Sequence, residues 1–252
     1  MTLVSVIMPV YNCENFVKES IDSILCQTYE NFEFIICNDG SADSTWDIVK
    51  SYSDSRIITV DDSDNIKIPR RRNKAVKMAR GEYIAIQDGD DVSFANRLQL
   101  QVDFLKNNNI FCVGGHARKI DENSKNIGEM TYPPKSHEDI FAQYGNSPTN
   151  PIIDPTTMYR RKDFLEIGGY SEEKAIYTVP DFDLWGRALL AEKKFSNLMV
   201  KLIQYRVNNR GMTSQHKIEM IRSHVLVTLR YHKALSQNKL RKEKHGNEEK
   251  NK

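Results

Sequence analysis

The sequence predicts an α/β protein: a mainly parallel central sheet flanked by helices, then a less regular second half and a C-terminal helix. Two observations carry this. Short apolar, β-branched runs alternate with helical periodicity from residue 4 to residue 106, as in doubly wound sheets. The runs also end in polar or turn-forming residues, where the carboxyl ends of parallel strands would lie.

Val4-Ser5-Val6-Ile7-Met8-Pro9-Val10 reads as a buried parallel strand. Phe16, Val17, Ser20, Ile21, Ile24 and Leu25 then fall at helical spacing. Residues 32–37 form a second strand, broken by Asn38-Asp39-Gly40-Ser41. Asp43 or Ser44 can cap a helix carrying Trp46, Val49 and Tyr52. Residues 56–60 read as a third strand, and 68–79 as a basic helix with Pro69 in its tolerant first turn. Gly81 stops that helix, 82–86 form the fourth strand, and 94–106 form the next helix. Proline and asparagine are frequent over 132–155, which suggests a surface excursion, and order resumes at 156–164. A helix is expected over 179–192 and another over 216–236, where Ile218, Ile221, Val225 and Leu229 recur at helical spacing. From Lys239 the tail has six basic and three acidic residues and reads as frayed.

Composition sets limits. The 252 residues, 39% hydrophobic and 28% charged, suit one large α/β domain or two small ones. A net charge of +2 gives no field favouring nucleic acid. The four cysteines make no C-x-x-C pair and fit no zinc spacing, so they read as reduced core thiols. No apolar run approaches the ~18 residues of a membrane span, and the chain opens directly on a strand pattern. A cytoplasmic location is expected.

The most informative segment is Gln87-Asp88-Gly89-Asp90-Asp91, directly after the fourth strand. Three adjacent carboxylates repel, and a hard divalent cation with oxygen ligands relieves the repulsion. The topology would gather this cluster with Pro9-Val10-Tyr11-Asn12 and Asn38-Asp39-Gly40-Ser41 at one sheet edge, where ligands of such sheets bind. A metal-dependent phosphate or nucleotide site follows. Each motif has a plainer reading: Asp88–Asp91 as a solvated loop or helix cap, Asp39-Gly40 as a turn. Arg70-Arg71-Arg72 reads as a solvated helix face with one member able to point at phosphate, and Trp185 reads as core. His116 and His137 read as ordinary residues. Asp61-Asp62-Ser63-Asp64-Asn65 lacks the glycine and glutamate of a calcium loop.

Taken in order, these segments resemble the family-2 glycosyltransferases of GT-A (Rossmann-like) fold. The likeness extends through Arg72-Asn73-Lys74-Ala75, Thr157-Met158-Tyr159-Arg160, Gly168-Gly169-Tyr170, Pro180-Asp181-Phe182-Asp183-Leu184-Trp185, and Tyr205-Arg206-Val207 with Ser214, covering roughly residues 3 to 215. It implies one domain over 1–215, with a nucleotide-sugar half (1–115) and an acceptor half (116–215), ahead of a C-terminal helix and basic tail (216–252). It implies an inverting, metal-dependent hexosyltransferase of surface-polysaccharide or lipo-oligosaccharide synthesis. The donor would be a UDP-sugar and the acceptor a glycan or lipid-linked saccharide.

The resemblance also implies roles. Asp181 would be the base that deprotonates the acceptor hydroxyl. Pro9, Tyr11 and Asp39 would bind the nucleotide. Of the family's Asp-x-Asp pair, Asp90 would ligate Mn2+ or Mg2+, and Asp88 would hold the ribose of the nucleotide or the metal. Arg72 and Arg206 would stabilise the diphosphate, and Thr157 and Arg160 would shape the acceptor cleft. Two positions depart from the pattern: Pro180 replaces the usual glutamate before the base, and Asn208 replaces a frequent histidine. A nucleotidyltransferase is the rival enzyme class, but Tyr11-Asn12-Cys13-Glu14-Asn15 lacks the glycine-rich loop such enzymes carry. No G-x-G-x-x-G supports a dehydrogenase. A non-catalytic nucleotide-sugar-binding protein is the third reading. The C-terminal helix leaves packing on the domain, a homodimer contact and peripheral contact with anionic lipid open, with packing favoured.

Overall fold

The structure is a computed structural model, and it describes residues 1–62, 66–147, 149–208 and 216–250. Ser214 and the Ser63, Asp64 and Asn65 part of the Asp61–Asn65 stretch lie outside the described residues.

Among these residues one nine-stranded sheet runs β3-β2-β1-β4-β8-β6-β9-β5, with β7 paired to β6. Its strands are β1 (Val4–Val10), β2 (Phe32–Asp39), β3 (Ile57–Asp62), β4 (Tyr83–Ile86), β5 (Val92–Ser93), β6 (Cys112–Ile120), β7 (Asn126–Met130), β8 (Met158–Arg160) and β9 (Phe195–Arg206). The helices are α1 (Val17–Leu25), α2 (Thr45–Lys50), α3 (Ile68–Met78), α4 (Arg97–Asn107), α5 (His137–Gln143), α6 (Arg161–Glu166), α7 (Pro180–Leu190) and α8 (Lys217–Lys250).

β1, β2, β3 and β4 are mutually parallel, as the strand–helix alternation predicts. The second half adds antiparallel β8 beside β4, and a parallel β6–β9 pair. β6 and β9 are absent from the sequence reading. Gly114 and Gly115 interrupt the apolar signal of β6, yet they are required there. A Cβ at Gly114 would stand 2.5 Å from Asn197 Oδ1, and one at Gly115 would stand 2.6 Å from Leu202 Cδ1 on β9. The register shifts just past this point.

Alternation along β1 divides the core between the two faces. Val4, Val6 and Met8 pack with Ile21, Ile24, Leu98 and Val102, while Ile7 packs with Ala75, Val76, Tyr159 and Trp185 on the other side. That second cluster also includes Val227 and Tyr231 of α8, so both halves and the C-terminal helix share one core. The frayed tail expected from Lys239 is instead part of α8, which runs to Lys250. Of the cysteines, Cys37 and Cys112 are buried as expected, but Cys26 is exposed. Trp185 is core, fully buried against Phe111, Tyr159 and Phe195.

Candidate active site

The three loops at the carboxyl edge are tied into one surface. Asn12 takes a left-handed backbone (φ 46°), which turns the chain after β1. Its amide donates to Ser41 Oγ (3.2 Å), and its side chain accepts from Ala42 N (2.9 Å). The acidic loop lies against the first: a Cβ at Gly89 would meet Cys13 Sγ at 3.0 Å and Val10 Cγ1 at 3.2 Å. Ser20 on α1 donates to the Asp88 carbonyl (2.9 Å). From below, the Gln87 amide donates to the carbonyls of Asp88 (3.0 Å) and Asp91 (2.8 Å).

A fully buried guanidinium underlies this loop. Arg97 donates to the carbonyls of Ile86 (2.7 Å) and Thr157 (3.2 Å), and to the side chains of Gln87, Ser93 and Gln101. Burial lowers its pKa to about 10, against the attraction of Asp91. Single arginines in a helix carry no sequence signal for such a role.

Two members of the arginine run are not solvated. Arg71 is buried and donates to Asp39 Oδ1 through Nε (3.0 Å) and Nη2 (2.7 Å). Asp39 therefore sits at the edge as expected, already engaged by a cation and by Ile66 N (3.0 Å). Arg72 is buried too, and it bridges two carboxylates: Nη2 to Asp88 Oδ1 (2.8 Å) and Nη1 to Asp154 Oδ2 (2.5 Å). The exposed member is Arg70, beside Glu172 (3.2 Å).

Asp154 carries no signal in the sequence. It lies on a short 3-10 turn (Asp154–Thr156) inside the proline-rich stretch, where no periodicity marks it. Its side chain is nearly buried and its Oδ1 has no hydrogen-bond partner. Burial raises its pKa to about 7, assisted by Asp181 and Asp88 and opposed by Arg72.

Asp181 occupies the first turn of α7, with Pro180 at a position where a missing N–H costs nothing. The Pro180 departure is thus compatible with the helix start. Asn150 donates to Asp181 Oδ2 (3.1 Å). Burial raises the Asp181 pKa, and Arg72 and Asp88 both act on it electrostatically. Asp88, Asp154, Asp181 and Arg72 therefore share one electrostatic neighbourhood.

Asp90 accepts from Asn208 Nδ2 (2.6 Å), and burial beside Asp88 raises its pKa to about 6. Asn208, the second departure, takes its place directly on this carboxylate. Asp91 is buried and strongly raised in pKa by burial and by Asp90; Oδ1 accepts from Arg206 N (2.8 Å), while Oδ2 has no partner. Among the described residues no group of three or more His, Cys, Asp or Glu is arranged to hold a metal. The donor set fits an ion that takes one or two carboxylates and completes its shell with phosphate oxygens and water, as Mg2+ and related ions do. Asp88, paired through Oδ1 with Arg72, and Asp90, bonded to the neutral Asn208 amide, supply the carboxylate oxygens for such an ion.

Three expectations need correction. Arg206 was expected to face a diphosphate. Its guanidinium is buried and bonded to Asp90 O (2.8 Å), Asp121 O (2.9 Å) and Glu19 Oε2 (2.5 Å), so it braces the acidic loop. Thr157 was expected to shape the acceptor cleft, but it is fully buried, donating to Asp154 O (2.7 Å). Arg160 pairs with Tyr83, at the start of β4, whereas the acidic loop follows its end. Its guanidinium donates to Ile110 O (2.9 Å) and Leu105 O (2.6 Å), which places it at the opposite edge of the sheet.

The model of the family described as "Glycosyl transferase family 2" matches residues 5–168. The chain is 36% identical over 187 residues to EpsE of Bacillus subtilis (strain 168), covering 73% of this chain and 66% of that one. It is 30% identical over 230 residues to WfaP of Escherichia coli, named a UDP-Glc:alpha-D-GlcNAc-diphosphoundecaprenol beta-1,3-glucosyltransferase, covering 91% of this chain and 87% of that protein. In structure it is similar to S. aureus TarS 1-349 in complex with UDP (TM-score 0.69, 21% identity, 90% of this chain, 65% of that one). It is also similar to the mannosyltransferase PcManGT from Pyrobaculum calidifontis in complex with GDP-Man and Mn2+ (TM-score 0.68, 17% identity, 90% of this chain, 64% of that one). These two likenesses establish the fold, and the family match spans well over half the sequence. The chain belongs to glycosyl transferase family 2.

Proposed function

We propose that this chain is an inverting, metal-dependent hexosyltransferase. It moves a hexose or N-acetylhexosamine from a UDP-sugar to a hydroxyl of a glycan or lipid-linked saccharide during surface-glycan synthesis. The observation that carries this reading is the Arg72 bridge between Asp88 (2.8 Å) and Asp154 (2.5 Å) at the carboxyl edge, whose charges also act on Asp181 at the start of α7. WfaP is named for β-1,3 transfer from UDP-Glc onto a diphosphoundecaprenol-linked sugar, which supports the donor and acceptor classes.

The chemistry follows from the residues. A sugar hydroxyl is a weak nucleophile at neutral pH and needs a base as the new bond forms. Burial raises the Asp181 pKa, which makes its carboxylate a stronger base than a solvated one. Asn150, bonded to Oδ2, orients that carboxylate. Asp88 and Asp90 would hold Mn2+ or Mg2+, which when bound neutralises charge on the departing diphosphate. Arg72 holds Asp88 in place and offsets the surrounding negative charge. Pro9, Tyr11 and Asp39 would receive the nucleotide. One displacement at the anomeric carbon turns an α-linked donor into a β-linked product.

The test is Asp181→Asn. Transfer should fall about 10²–10⁴-fold, the usual contribution of a positioned base, while UDP-sugar binding persists. Unchanged turnover would remove Asp181 from the role. Release of UDP, not pyrophosphate, during turnover separates this activity from nucleotidyl transfer.

A further inference from the structure

Helix α8 carries two apolar faces, and the domain covers one. Val227 and Tyr231 are buried in the core beside Phe182 and Trp185. Ser223 donates to Ala175 O (2.9 Å) and accepts from Thr178 Oγ1 (3.0 Å), and Arg230 pairs with Glu173 (2.7 Å). These bonds fasten α8 to the segment leading into α7, the helix that begins at Asp181's turn.

The opposite face is bare. Ile218, Ile221, Val225 and Leu229 are 68%, 64%, 54% and 64% exposed. Their spacing of three, four and four residues aligns them in one stripe on a helix. At a step of about 100° per residue, Arg222 and Lys233 border that stripe, and both are exposed. From residue 220 to residue 242 the sequence has six Lys or Arg and no Asp or Glu.

We propose that this stripe docks on an anionic phospholipid bilayer. A helix with an apolar stripe edged by cations lies in the membrane interface, its apolar side chains inserted and its basic ones among the headgroups. The charge pattern selects lipid over a second copy. A second copy packed stripe to stripe would find no acid over residues 220–242 to pair with Arg222 and Lys233, whereas an anionic surface pairs with both. Among the described residues no helix is long and apolar enough to cross a membrane, so the contact is peripheral. The docking does not depend on the reaction proposed above.

The test is co-sedimentation of the full chain with phosphatidylcholine vesicles, with and without phosphatidylglycerol. The chain should pellet with the anionic vesicles only. The double variants Ile221→Glu with Leu229→Glu, and Arg222→Glu with Lys233→Glu, should each weaken binding at least about tenfold. Because these side chains are exposed, the thermal midpoints of the variants should match the parent. Three results would overturn the proposal: no pelleting with either vesicle, full binding by the variants, or a dimer in analytical ultracentrifugation that the apolar variant dissolves.

Discussion

At the scale of single residues, the site is organised by one guanidinium. Arg72 is buried between Asp88 and Asp154 and also lies 5.4 Å from the Tyr170 ring. Arg72→Ala would leave two carboxylates without their cation. Removing one partner of a buried pair costs about 3–5 kcal/mol, and urea denaturation should show a loss of that size. The pH dependence of Asp154 has a definite sign. Its pKa is about 7 in the fold and near 3.8 in the unfolded chain, so the native state binds the proton more tightly between these values. The Asp154 contribution to stability is complete below about pH 4 and is lost as pH rises through about 7. Asp154→Asn never ionises, so its stability relative to the parent should rise with pH across that window. A falling difference in paired denaturation curves would show that attraction to Arg72 outweighs burial. Asp88, Asp90 and Asp181 were legible in the sequence because motifs frame them. Asp154 was not, because a lone acid beside a proline has no pattern and acquires meaning only from the arginine it meets.

At the scale of elements, α7 presents the proposed base and closes the core at once. Tyr144 stacks on Phe182 (ring centroids 4.4 Å apart) and its hydroxyl donates to Phe182 O (2.5 Å). A Cβ at Gly186 would collide with that hydroxyl. In an open helix Gly→Ala stabilises by up to about 1 kcal/mol. Here the fixed ring reverses the sign, and Gly186→Ala should lower stability by about 1–3 kcal/mol and depress the thermal midpoint. A raised midpoint would mean that the tyrosine yields freely. Strand–helix alternation made β1 to β4 and α1 to α4 readable from the sequence. β6, β8 and β9 were not, because glycines and mixed-polarity runs hide a strand until a neighbour supplies its partner.

At the scale of the whole molecule, an ion and a nucleotide should bind as a unit. Among the described residues no third His, Cys, Asp or Glu joins Asp88 and Asp90, and two carboxylates make a weak cation site that diphosphate oxygens would complete. UDP with Mn2+ should therefore raise the thermal midpoint by more than the separate shifts combined. At a hundredfold excess over the dissociation constant the stabilisation is about 2.7 kcal/mol. Scanning calorimetry with EDTA and with Asp90→Asn should abolish the joint shift. Additive shifts would argue for separate sites.

By itself the sequence determined the parallel half of the sheet, the edge where its loops converge, and the acidic pair and proposed base on that edge. Local periodicity and turn chemistry suffice for these, since each is written within about a dozen neighbouring residues. Tertiary structure alone decided which charges meet. It turned Arg71 and Arg72 inward to Asp39, Asp88 and Asp154, made Arg206 a brace, and sent Arg160 to the far edge. A charged side chain takes its role from whatever opposite charge or carbonyl the fold brings within about 3 Å, and chain distance does not encode that partner.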